Sequence, residues 1–161
     1  MCLTAWLLGA SAPPRATVYV FLAPTCPISQ AVLPAVRALH AQYAAAGVAF
    51  VGVFPDPLVS AADRARFGRA YQLRFALQAD PGHLLTRRLG ATITPEAAVT
   101  DAHGALVYRG RINDSYARLG VRRTVVGQHE LADALAALAA DQPVVVARAP
   151  AVGCVIEPLR P

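Results

Sequence analysis

The chain contains no lysine; all fifteen of its Lys/Arg positions are arginine. Together with the abundant alanine, that absence reads as the codon bias of a GC-rich genome more than as chemistry. The arginines are scattered and no aromatic platform interleaves them. A net charge of +5 therefore describes a solvated, mildly cationic surface and not a nucleic-acid interface. No apolar run reaches the ~18–20 residues needed to span a membrane. Charged residues make up only 16% of the chain against 55% hydrophobic ones, which excludes disorder. At 161 residues, one domain with a single real core is expected. Cysteine is scarce, at three residues, and no C-x-x-C pair is present. In the stretch "TCPIS", Ser29 stands where a second thiol would complete such a pair with Cys26.

What is there begins with "MCLTAWLLGASA", a short apolar run ending in a small-x-small pattern and followed by two prolines. It has the outline of an export signal without a basic leading region; an ordinary apolar terminus covering the core is the plainer alternative. The expected division is a signal segment at 1–12, a globular domain at 13–141 and a tail at 142–161. Cleavage after Ala12 would remove Cys2 and leave Cys26 and Cys154, an even pair suited to an oxidising, periplasmic or otherwise exported setting.

Along the chain, "ATVYVFL" and "VAFVGVF" read as buried strands at 16–22 and 48–54. Between them Ile28, Val32, Val36, Leu39 and Tyr43 recur at helical spacing, and Pro34 is expected to kink that helix. Ser60 can cap a second helix running to about Tyr71, "RFALQAD" reads as a third strand, and Asp80-Pro81 is expected to start a short third helix. Strands at 96–100 and 105–109 flank the turn "DAHG", an antiparallel hairpin. An irregular basic loop follows, then a helix at 128–140 presenting Leu131, Leu135 and Leu138, then a tail without a clear period. Strands joined by helices run parallel and the hairpin antiparallel. The expected class is α/β: a mixed central sheet with helices on both faces and a C-terminal extension, in a thioredoxin-like arrangement.

Three features carry that likeness. Cys26 lies at a strand-to-helix junction, Pro34 follows eight residues later, and Thr94-Pro95 precedes the penultimate strand, where thioredoxin-fold proteins place a cis-proline facing the active cysteine. The longer series "TCPIS", "TPEAAV", "LVYRGRIND", "HELADALAAL" and "AVGCVI" resembles a bacterial redoxin family. Its members are thioredoxin-like proteins related to the peroxiredoxin superfamily, often described as thiol-disulfide oxidoreductases and commonly exported. The resemblance covers residues 16 to 157.

A thiolate at a helix N-terminus gains from the exposed N–H groups and the helix dipole, so Cys26 is expected to be acidic and nucleophilic. Ser29 removes the adjacent resolving thiol, which leaves Cys154 as the internal candidate. A tail of this length has the reach, at up to ~3.3 Å per extended residue. A redox pair, a static disulfide and an unrelated Cys154 all stay open at this point. The resemblance implies a substrate platform at Thr25, Pro27, Thr94 and Pro95, with Ser29, Glu96, Arg109 and Arg111 tuning the thiol. It implies a protein or small-molecule disulfide or thiol as substrate and, from its relatives, a homodimer, with no cofactor. The peroxidase loop P-x-x-x-T/S-x-x-C is not met. A rival reading places Cu(I) on Cys26, Cys154 and His129, because soft thiolates suit that ion. His83 and His103 are expected at the surface, His40 as a satisfied helix residue, Asp56 in a turn, and Arg111 paired with Asp114.

Overall fold

The computed structural model describes residues 13–159, so the expected signal segment lies outside the described residues. In chain order the elements are β1 (Ala16–Phe21), α1 (Pro27–Tyr43), β2 (Val48–Phe54), α2 (Ala61–Ala70), β3 (Ala76–Ala79), α3 (Leu84–Leu89) and β4 (Ile93–Thr94). They continue with β5 (Glu96–Asp101), β6 (Leu106–Gly110), β7 (Tyr116–Arg118), β8 (Val121–Arg122), α4 (Glu130–Ala139), β9 (Arg148–Ala149) and β10 (Cys154–Val155). The main sheet runs β3-β2-β1-β5-β6-β9. The β3-β2-β1 half is parallel, because helices join its strands, and β5 and β6 run antiparallel.

Alternation along β1 sorts the core into two layers. Val18 and Val20 point into the larger cluster, where α1 supplies Val32, Leu33 and Val36 and α4 supplies Leu131 and Leu135. Phe21 faces the other way, joining Val53, Ala98 and Leu89 of α3. The apolar positions of α1 predicted from periodicity are buried, and the helix runs as one element through Pro34, which is exposed.

Three features of the sequence reading are corrected. The third helix begins at Leu84 and not at Asp80-Pro81. Asp80 is instead a buried anchor whose carboxylate accepts the N–H groups of Leu84, Leu85 and Thr86 and the Thr86 hydroxyl, at 2.8–3.2 Å. The basic loop is not wholly irregular, since β7 and β8 form a small hairpin within it. It is ordered by two separate ion pairs, Arg111 with Glu130 and Arg123 with Asp114 at 3.4 Å, in place of an Arg111–Asp114 pair. The tail carries two short strands. β9 lies parallel to β6, and β10 lies antiparallel to β4.

Burial raises the pKa of Asp80, but the donors from Thr86, Leu85 and Leu84 outweigh it and hold the carboxyl below its ordinary value. Removing an acceptor that satisfies this many buried donors costs about 2 kcal/mol, so Asp80→Ala is expected to lower stability by that order at neutral pH. A depressed carboxyl stabilises the fold above its unfolded pKa of ~3.9 and loses that contribution as pH falls through the folded value. The gap between wild type and variant, followed by denaturant melts, should therefore narrow below pH ~4.

Candidate functional site

The site is built where β1 hands the chain to α1. Cys26 is the N-cap of α1, with extended backbone at φ −88° and ψ 113°, and Pro27 takes the first helical position, where no N–H is required. The turn is pinned from three sides. The Cys26 N–H donates to the Ala23 carbonyl at 3.0 Å. Gln30 Nε2 donates to the Pro24 carbonyl at 2.7 Å, and the Ala23 N–H donates to the hydroxyl of fully buried Ser29 at 3.3 Å. Thr25 and Pro27 are exposed on either side, yet Cys26 itself is only 1% exposed.

Residues distant in sequence close over the thiol. The Thr94–Pro95 peptide bond is cis, and Cys26 Sγ lies 3.3 Å from the Thr94 carbonyl oxygen, to which the thiol donates. Along β4, Cys154 pairs with Thr94 and Val155 with Ile93. The Ile156 N–H donates to the Thr92 carbonyl at 2.9 Å, and the Thr94 hydroxyl donates to the Cys154 carbonyl at 3.3 Å. Gly153 makes this approach feasible: a Cβ there would sit 2.1 Å from the Thr94 carbonyl oxygen. Both cysteines are free thiols, and the Cys154 thiol donates to Cys26 Sγ at 2.8 Å.

The two sulfurs differ in acidity. Burial pushes the Cys26 thiol up, but the Cys154 thiol, the Ser29 N–H and hydroxyl and the Ile28 N–H favour the anion and bring it below its ordinary value. Cys154 is pushed up to about 11, first because it donates to Cys26 and then by burial. Of the two thiols, Cys26 is therefore the one that ionises first, and Cys154 keeps its proton to higher pH. That division suits nucleophilic attack by Cys26.

The remaining predicted residues are placed differently. Arg109 and Arg111 do not fold over the thiol. Arg109 pairs with Glu96 at 3.5 Å and donates to the Gly90 carbonyl, while Arg111 engages Glu130 and Gln128. Buried Glu96 accepts the Thr92 N–H at 2.8 Å, so it steadies the segment leading into β4. The Cu(I) set is not assembled. Exposed His129 occupies the N-cap position of α4 without a side-chain capping bond, and among the described residues no group of three His, Cys, Asp or Glu side chains could hold a metal. His83 is buried, not at the surface, with Nε2 3.1 Å from the Pro55 carbonyl oxygen. His103 is exposed, His40 packs edge-on against Phe50 and Phe75, and the Asp56 carboxylate accepts the Leu58 N–H in a turn. Sequence reasoning missed Gly153, although the "VGC" string held the signal: a residue without a side chain directly before the tail cysteine.

A cysteine at the N-cap of the first helix, beside a cis-proline that leads into the central strand β5 of a mixed sheet, defines a thioredoxin-like protein. The chain belongs to the AhpC/TSA family, whose model matches residues 11–109; the tail with Cys154 lies beyond the matched segment. Among solved structures it is similar to a conserved protein of uncharacterised function from Geobacillus kaustophilus, at 26% identity and a TM-score of 0.80, covering 91% of this chain and 79% of that one. A hypothetical protein from Sinorhizobium meliloti 1021 is also similar, at 23% identity and a TM-score of 0.80, covering 92% and 82%. A secreted Mycobacterium tuberculosis disulfide oxidoreductase, homologous to E. coli DsbE, shares the fold at 19% identity and a TM-score of 0.53, covering 79% and 81%. No curated protein matches the chain.

If these hydrogen-bond donors set the acidity of Cys26, then Ser29→Ala and Cys154→Ala should each raise its pKa, as each removes a group that stabilises the anion. Thiolate ultraviolet absorbance against pH, read at Cys26 by site-resolved alkylation, checks the direction. An unmoved or lowered pKa in both variants would contradict the assignment.

Proposed function

We propose that the protein is a thiol-disulfide oxidoreductase in which Cys26 is the nucleophile and Cys154 the resolving cysteine. The observation that carries this reading is a pair of free sulfurs 2.8 Å apart, one at a helix N-terminus and the other on a tail strand. The Cys26 thiolate attacks a disulfide RS–SR, forms a Cys26–SR bond and releases one thiolate, which takes up a proton from water. Cys154 then loses its proton to solvent and attacks the Cys26 sulfur. The second RS⁻ leaves and the Cys26–Cys154 disulfide forms. Two electrons pass from the protein pair to the substrate, and the reverse sequence oxidises a dithiol.

Ser29 cannot resolve a mixed disulfide, so the tail cysteine supplies what a C-x-x-C motif would hold locally. Thr94 and Pro95, beside the thiol, form the platform for substrate, with exposed Thr25 and Pro27 at its rim. Stabilising Cys26 as an anion also makes it a good leaving group, which favours reduction of the protein disulfide and an oxidising potential. That chemistry suits an exported, oxidising compartment and a protein or small-molecule thiol as partner. The secreted M. tuberculosis oxidoreductase with this fold is in keeping with that placement.

The test equilibrates the protein with graded glutathione buffers and reads the thiol state by alkylation and mass spectrometry. Cys26 and Cys154 are expected to interconvert as one pair between ~−120 and −270 mV, the range of working oxidoreductases. A pair that stays oxidised below ~−300 mV would make the disulfide a structural staple and sink the exchange reading.

A further inference from the structure

We propose that β10 is a gate: the tail strand occupies the β4 edge, closes Cys26 to external disulfides, and must unpair before exchange can begin. This rests on the exchange reading and adds the regulation of that site.

Four observations carry it. Cys26 is 1% exposed although both of its chain neighbours are exposed, and the groups at its sulfur that come from outside its own helix turn are the Thr94 carbonyl and the Cys154 thiol. The edge of β4 is already used by Cys154, Val155 and Ile156, so no second extended chain can pair there while β10 is seated. The seat is short: two residue pairs, the Ile156 bond, the Thr94 hydroxyl bond to the Cys154 carbonyl and the partly buried Ile156 side chain hold it, while Val155 is 66% exposed. Segments with few buried apolar contacts open at low cost. By contrast, β9 belongs to the six-stranded main sheet, where the Arg109 and Arg111 N–H groups donate to the Ala147 and Ala149 carbonyls, and Ala149 itself is buried. The hinge therefore lies between Ala149 and Gly153.

One movement then serves two steps. Opening admits a disulfide to Cys26, and closing brings Cys154 back to release the product. Gly153 is the positioning residue, since any side chain there meets the Thr94 carbonyl.

The test uses full-length reduced protein carrying Cys154→Ala, so that access to Cys26 is measured without competition from the second thiol. Iodoacetamide alkylation is followed on the Cys26 peptide across pH, and the high-pH plateau rate is compared, which removes differences in thiolate fraction. Adding Gly153→Ala should raise that plateau about tenfold or more by unseating β10. Ile156→Pro, which deletes the donor to Thr92 without a clash at Thr94, should act in the same direction. Thermal melts confirm that both variants keep the folded body. Equal plateau rates in all three proteins, or a Cys26 in the parent that alkylates as fast as in denaturant, would overturn the gate. The alkylation rates do not depend on a redox potential, so a structural-range potential would sink the exchange reading without touching this measurement.

Discussion

The short antiparallel pairing of Cys154 and Val155 with Thr94 and Ile93 is the contact on which the site turns. Without it, Cys26 is a lone acidic thiol on a helix cap, and the last twenty or so residues are a tether. With it, a sulfur 128 residues away in sequence lies within 2.8 Å. The pairing works because Gly153 has no side chain, which lets the tail backbone lie against the Thr94 carbonyl. It is also short, so the same contact that assembles the pair can release it.

The sheet makes that contact possible. Parallel strands leave the C-terminal end of β1 beside the N-terminus of α1, where strand ends and helix termini gather and where ligands of open α/β sheets bind. The antiparallel register then sets Glu96 opposite Phe21, so the start of β5 meets the end of β1. Pro95 and Thr94 are thereby delivered to Cys26 from 68 residues away. Glu96 holds this corner through the Thr92 N–H and Arg109. The charges around the site thus act mainly on geometry, while hydrogen-bond donors set the acidity of the thiol.

Much of this was readable in the residues. β-Branched runs at 16–22 and 48–54, the helical spacing from Ile28 to Tyr43 and the "DAHG" turn located the central elements closely, because buried periodic segments state their structure locally. What the residues did not show was partner choice at long range. Arg111 pairs with Glu130 and Arg109 with Glu96, and neither choice is marked by sequence separation. The third helix starts later than Asp80-Pro81 suggests because Asp80 caps it from four residues upstream, a role that proline at the next position disguises. The tail showed no period because β9 and β10 span two residues each, too short to display one.

The seat of β10 can be observed without any redox reaction. In reduced protein, the Ile156 amide is bonded to the Thr92 carbonyl, so its hydrogen exchange, followed by NMR, reports directly on the β4–β10 pairing. The expected result is exchange clearly slower than in an unstructured peptide but faster than at amides of β1 and β5, as befits a strand that is seated and can leave. Exchange at the unstructured rate would mean that the tail does not hold Cys154 against Cys26, and both the thiol pair and its gate would fall.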